Sequence, residues 1–240
     1  MDICWILELS EDEKLMWNKI KVIALIKYPQ FFFSILKSEK VHLGGLGIVC
    51  IFTDYVVKIR ILKRIKEIEE EEKERGFLLL SSLEEERDKF IFINHKHSFI
   101  QRGRLYLEKI DGNSLSIYIK EDDLEQFLYF FEKSIKILLQ KYKESGFYHG
   151  DFHVDNIILN KKDIFFIDFE FKYVEELNGY ELEADILKFV FYLKIYKKDF
   201  FIKYRKEIVE IILKYFESER LKYAEFVMHN YLKDEMNEIL

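Results

Sequence analysis

The chain has 240 residues, 49% hydrophobic and 34% charged, with a formal net charge of −6. That composition excludes a disordered or fibrous chain and is long enough for one two-lobed unit with real cores. The acidic balance argues against a general nucleic-acid binder, and one proline with nine glycines leaves little material for linkers.

Two cysteines, Cys4 and Cys50, lie far apart without metal-ligand spacing. They read as buried thiols in a reducing cytoplasm. Asp2 and the acids between Glu8 and Glu13 spoil a secretory start. The longest apolar stretch, Val22 to Leu36, is broken by Lys27 and Pro29 and is too short to span a bilayer.

Ser10 to Lys27 is predicted helical, with Ser10 and Glu13 at capping-box spacing and Pro29 as the stop. Gln30 to Ser38 is predicted as a second, short helix. Strands follow: Val41 to Phe52 carries Gly44, Gly45 and Gly47, then the apolar run Ile48 to Phe52. Thr53-Asp54 offers a turn, and Tyr55 to Ile59 returns as a β-rich run. A charged helix is predicted over Leu62 to Arg75, with Gly76 as its stop. Phe90 to Ile93, Ser98 to Gln101 and Leu105 to Glu108 read as further strands. From Leu124 to Ser145 the pattern turns helical. Leu124, Phe127, Phe131, Ile135, Leu138 and Leu139 share one stripe there, and Gly146 closes it. A strand hairpin is predicted from Asn156–Leu159 and Ile164–Ile167, with Lys161-Lys162-Asp163 as the turn. Two or three helices finish the chain from about Leu182 to Leu240.

The chemistry concentrates in Tyr148-His149-Gly150-Asp151-Phe152-His153-Val154-Asp155-Asn156, followed by Phe165-Phe166-Ile167-Asp168-Phe169-Glu170. Two carboxylates and an amide near strand ends are what phosphoryl transfer from a nucleotide requires. One Asp takes the proton of an attacking hydroxyl, while the Asn and the second Asp hold magnesium against the phosphates. This order of parts resembles the catalytic core of the protein-kinase-like superfamily, in its aminoglycoside and choline phosphotransferase branches. The resemblance covers roughly Val41 to Tyr192.

It implies an α+β, bilobal, protein-kinase-like fold. A helical extension over residues 1–40 precedes a small β-rich N-lobe (41–108) and a mainly helical C-lobe (109–240). ATP and Mg2+ are the implied cofactors. Asp151 would be the base, and Asn156 and Asp168 the metal ligands. Lys58, in Val56-Val57-Lys58, would neutralise the α- and β-phosphates. Gly44, Gly45 and Gly47 would cover the nucleotide, although His42 stands where the first family glycine falls. Backbone groups of Glu108 and Ile110 would meet the adenine edge. Lys58 needs a helix glutamate, and two candidates stay open. Glu72 continues the Ile61, Ile65, Ile68 stripe, and Glu74 precedes Leu78 by one turn. His149 would hold the loop's shape, and Asp185 would brace it from a later helix. His153 and Asp155 stay open between supporting and substrate-facing roles.

Glu170 replaces the family glycine, and only Phe171 to Leu182 separates that motif from the bracing helix. No Ala-Pro-Glu segment is present, so the peptide platform and phosphorylation switch of protein kinases are missing. This favours a hydroxyl on a sugar or other small acceptor. Glu183 to Lys198, with its run Phe191 to Lys198, is similar to the tail of lipopolysaccharide core heptose kinases, which act on a lipid-linked saccharide. Val56 to Lys63 resembles instead the small atypical kinases of the KEOPS tRNA-modification complex, which usually show Thr-Thr-Ser where this chain has His153-Val154-Asp155. No nucleic-acid partner is expected. The implied location is the cytoplasm, with peripheral contact at the inner membrane face left open. Two other classes compete. A metal-dependent hydrolase would use His149, Asp151 and His153 with Asp168. A nucleotide-binding scaffold would bind without turnover.

Overall fold

The computed structural model describes residues 23–24, 31–43, 47–61 and 78–231. Apart from residues 23–24, which are helical, the predicted helix at Ser10–Lys27 lies outside the described residues. So do the predicted helix at Leu62–Arg75, Cys4, Gly44, Gly45, Glu72, Glu74 and the tail beyond residue 231. The fold class is α+β, as the sequence implies, and the chain divides into two compact units.

The first unit takes its described parts from within residues 6–71 and 82–111. A short helix α1 (Phe32–Lys37) leads into strands β1 (Lys40–Leu43), β2 (Gly47–Ile51) and β3 (Tyr55–Arg60). Within the run from Val41 to Phe52, β1 and β2 pair antiparallel. With β5 (Ser98–Gln101) and β6 (Arg104–Glu108) they form an antiparallel sheet of order β1-β2-β3-β6-β5. The strand β3 is central, and Val56, Val57, Lys58 and Ile59 are all buried in it. A β-branched run suits such a two-sided environment, and a lysine there needs a partner. Ile35, Val41, Ile48, Cys50, Val57 and Ile59 pack together as the core. Gly47 has a steric cause: a Cβ there would sit 2.0 Å from the Ile59 carbonyl oxygen.

Phe90 to Ile93, predicted as strand, lies instead in helix α2 (Leu83–Asn94). The alternating aromatic and isoleucine residues mislead, and the upstream cap decides. Ser82 Oγ accepts the Glu85 N–H (3.1 Å), and Glu85 Oε2 accepts the Ser82 N–H (2.6 Å), a complete capping box. Glu86, Phe90 and Ile93 then fall on one buried face at helical spacing.

His42 on β1 has its pKa pushed down to about 4, by burial first and by the nearby Lys40 second. The ordinary value is 6.5, so the unfolded chain takes up this proton before the folded one does. Stability carried by neutral His42 is therefore fully present above pH 6.5 and is lost as pH falls toward 4. Thermal melts of His42→Gln should show a shallower loss of stability across that window than wild type. Parallel curves would remove His42 as the cause.

The second unit holds β4 (Leu78–Leu80) and the chain from Gly112 onward. Strands β7 (Asn113–Ser114), β8 (Ile157–Asn160) and β9 (Asp163–Phe166) form one small sheet, with β8 and β9 as the predicted hairpin. After a short helix α3 (Ser116–Lys120), helix α4 covers Leu124–Ser145, the predicted range. Asp123 caps its start by accepting the Gln126 N–H, and Gly146 ends it at φ 70°. Phe127, Phe131, Ile135 and Leu138 point inward, and Phe131 stacks on Phe189 with ring centroids 4.3 Å apart. Phe189 belongs to helix α5 (Glu181–Tyr196), which is followed by α6 (Lys198–Tyr215) and α7 (Ser218–Tyr231). Strand β10 (Phe171–Tyr173) pairs antiparallel with β4, an element the sequence does not announce. Among the described residues no helix is long and apolar enough to cross a membrane.

Candidate active site

The loop between α4 and β8 is shaped by His149, Gly150 and a carboxylate from α5. His149 is fully buried, 4.7 Å from the Phe169 ring centroid, and its Nδ1 accepts the Asp151 N–H at 3.2 Å. Gly150 sits at φ +87°, and a Cβ there would lie 2.0 Å from the Phe171 carbonyl oxygen. Only glycine meets both constraints. Asp185, also fully buried, accepts the His149 N–H (2.6 Å) on Oδ2 and the Gly150 N–H (2.8 Å) on Oδ1. The Tyr173 hydroxyl donates to the same Oδ1 at 2.8 Å, and burial together with that carboxylate pushes the tyrosine pKa well up. This is the brace expected of Asp185.

The loop holds Asp151 against a cation that the sequence reading did not single out. Lys188 Nζ lies 2.6 Å from Asp151 Oδ1 and donates to the Gly150 carbonyl at 2.9 Å. Its ammonium also sits 5.0 Å from the centroid of the Phe171 ring. His153 Nε2 lies 3.6 Å from Asp151 Oδ2. Burial alone would raise the Asp151 pKa. Lys188, with His153 second, outweighs it and holds the carboxyl below the ordinary carboxylate range. Lys188 follows Asp185 by three positions, so helical spacing puts both on one face of α5. That spacing was the available signal.

Asn156 stands next to Asp151 and is itself fully buried. Its Nδ2 donates to the Asp151 carbonyl (3.0 Å) and to Asp151 Oδ2 (3.3 Å). Its Oδ1 is buried and has no hydrogen-bond partner among the described residues. The Ile167 N–H donates to the Asn156 carbonyl at 3.0 Å, which brings Asp168, one residue on, to the same end of the hairpin. Asp168 sits at φ +69°, a left-handed conformation that side chains seldom adopt and that clusters at functional sites. A buried amide oxygen with no partner among the described residues, at the hairpin end that also carries Asp168, is a hard-oxygen donor set whose chemistry fits a magnesium ion.

In the sheet unit, Lys58 Nζ donates to Glu86 Oε1 at 2.5 Å, and Arg60 meets Oε2 of the same carboxylate at 3.0 Å. Glu86 is buried on α2. Removing one member of such a buried ion group costs about 3–5 kcal/mol. The glutamate shown beside Lys58 is therefore Glu86, which the sequence reading passed over. Glu72 and Glu74 lie outside the described residues. Reading Phe90–Ile93 as strand hid the helical face that carries Glu86. Glu108 closes β6 and takes the Lys96 ammonium (2.6 Å) and the His97 N–H (3.0 Å). These bonds hold its carboxyl below the ordinary range, the Lys96 bond contributing most. Ile110 follows, buried.

The structure thus brings Asp151, His149 and Asn156 together, with Asp168 at the same hairpin end. It separately brings Lys58 to a glutamate of its own unit. No curated protein matches the chain. Residues 99–174 match the model of the phosphotransferase enzyme family (APH), a span that holds Asp151, Asn156 and Asp168. Over that stretch the chain is similar to phosphate-transferring enzymes, which supports its place in the protein-kinase-like superfamily.

Proposed function

We propose that the protein is an ATP- and magnesium-dependent phosphotransferase that moves the γ-phosphoryl group to a hydroxyl of a sugar or similar acceptor. One observation carries this reading. Asn156 binds Asp151 through its amide nitrogen, and its buried oxygen has no partner among the described residues, as a metal ligand beside a base would. The matched family supports phosphate transfer. Magnesium, when bound by Asn156 and Asp168, supplies charge neutralisation at the phosphates. Lys58, kept in place by Glu86, serves the α- and β-phosphates. The acceptor oxygen attacks the γ-phosphorus, the bond to the ADP oxygen breaks, and the hydroxyl proton passes to Asp151. A carboxylate with so low a pKa takes that proton late, when the oxygen has already begun to bond to phosphorus.

The metal-dependent hydrolase reading fits less well. His149 Nδ1 is engaged by the Asp151 N–H, and its ring is enclosed by Phe152, Phe166 and Phe169. A peptide acceptor is also disfavoured, because β10 and a single turn of 3-10 helix are the only described regular elements between Glu170 and α5. A lipid-linked saccharide acceptor is the finer proposal, drawn from the resemblance at Glu183 to Lys198.

Purified protein incubated with γ-labelled ATP, magnesium and a pool of saccharides should transfer label and release equimolar ADP. Chelation should abolish transfer. Asn156→Ala should raise the magnesium concentration for half-maximal rate by roughly tenfold or more. Transfer that survives chelation would remove the metal from the reaction. ADP release without a labelled acceptor across the pool would leave an ATPase instead.

A further inference from the structure

The chemistry above leaves unexplained a run of rings that begins at Asp151 in the helical unit. The His153 ring, whose Nε2 is 3.6 Å from Asp151 Oδ2, lies flat on Tyr192 with centroids 4.3 Å apart and planes at 6°. The Tyr192 hydroxyl is bonded to Asp155, which fixes the middle ring. Tyr196, one helical turn further along α5, meets Tyr192 at 4.8 Å. It is 64% exposed, so core packing does not account for it. Tyr196 also walls a cavity of about 460 Å³, whose charged lining is Lys197, Lys198, Lys203, Asp122 and Asp199.

We infer that this run is the acceptor track, with the reacting sugar against Asp151 and His153 and a second ring of the same oligosaccharide over Tyr196. The inference rests on the phosphotransferase reading and adds the class of acceptor. The flat apolar face of a sugar ring matches an exposed aromatic face, and its hydroxyls need donors and acceptors together. Lysines and aspartates in one cavity wall supply both. Charge narrows the class further. The lining carries three lysines against two aspartates, a formal excess of positive charge. That surplus favours an anionic substituent, a phosphate or carboxylate, and opposes an acceptor with several ammonium groups. A free oligosaccharide and a saccharide headgroup on a lipid share this chemistry.

Titration calorimetry of the full chain tests it. The probes are glucose-, galactose- and glucosamine-based disaccharides, their monophosphates, the matching monosaccharide phosphates, and kanamycin as a polycationic saccharide. An acylated disaccharide bisphosphate in detergent micelles, against empty micelles, separates the lipid-linked source from the free one. A phosphorylated disaccharide should bind more tightly than its neutral parent and than the monosaccharide phosphate. Tyr196→Ala should weaken it by roughly fivefold to tenfold, and Tyr196→Phe should not. Lys197→Gln with Lys198→Gln should erase the preference for phosphate. The inference is overturned if no disaccharide binds, if Tyr196→Ala changes nothing, or if kanamycin binds best. A thermal shift of wild type with ATP and magnesium runs in parallel. A loss on Tyr196→Ala without that shift leaves the saccharide subsite standing and ends the kinase reading. The shift without that loss does the reverse.

Discussion

Asp151→Asn should lower turnover by about 10²–10⁴-fold, the range typical for removing a positioned proton acceptor, while nucleotide binding stays near wild type. The side chain keeps its shape, and the Asn156 Nδ2 bond to the backbone carbonyl of residue 151 is untouched. What disappears is the charge that Lys188 meets at 2.6 Å. Lys188 then keeps the Gly150 carbonyl and the face of Phe171 as partners, so the loop should survive. The measurement is kcat by coupled ADP release, alongside a thermal shift with ATP and magnesium. Wild-type turnover in the variant would remove Asp151 from the chemistry. Loss of both turnover and the nucleotide-induced shift would mean that the loop had collapsed, and Lys188→Met in the same background would then show whether an unpaired ammonium was the cause.

Asp185→Asn should destabilise the helical unit by about 3 kcal/mol and inactivate the protein together with it. Three buried donors converge on this carboxylate: the His149 N–H, the Gly150 N–H and the Tyr173 hydroxyl. An amide offers one acceptor oxygen in place of two and turns an NH2 group toward a donor. Whichever way it is flipped, at least one backbone N–H faces another N–H. An unsatisfied buried donor costs about 1–3 kcal/mol, and more where a charge was the acceptor. For a protein of this size the fall in Tm is roughly 6–12 °C. Tyr173→Phe removes only the hydroxyl bond and should cost about 1 kcal/mol. Equal losses in the two variants would show that the backbone bonds to Asp185 carry no special weight.

Much of the candidate site was legible because its residues are close in sequence and chemically restrictive. His149, Gly150, Asp151 and Asn156 fall within one loop, and Asp168 ends the strand after a hairpin whose turn residues are visible. Helix α4 was readable to its last residue, since Phe127, Phe131, Ile135 and Leu138 keep the 3.6 period and Gly146 stops it. What was not legible depended on distant partners or on competing local signals. Phe90 to Ile93 has the β-branched and aromatic content of a strand, and the capping box at Ser82 and Glu85 had to overrule it. With that helix missed, Glu86 could not be recognised as facing Lys58. The pairing of β4 with β10 joins residues about ninety positions apart, and no local pattern encodes it. Lys188 looked like one more lysine in a lysine-rich chain until Asp151 was placed beside it.

That same pairing has a consequence for control. Phe171, Lys172 and Tyr173 are laced by register to Leu80, Leu79 and Leu78, and the Ser81 N–H ties Glu170 down at 2.8 Å. The Phe171 carbonyl presses on Gly150, and Tyr173 anchors to Asp185. The stretch after Asp168 is therefore a fixed wall rather than a gate. For a phosphotransferase of the kind proposed, output is then expected to follow how much protein is made and how fast acceptor arrives, rather than a movement of this stretch.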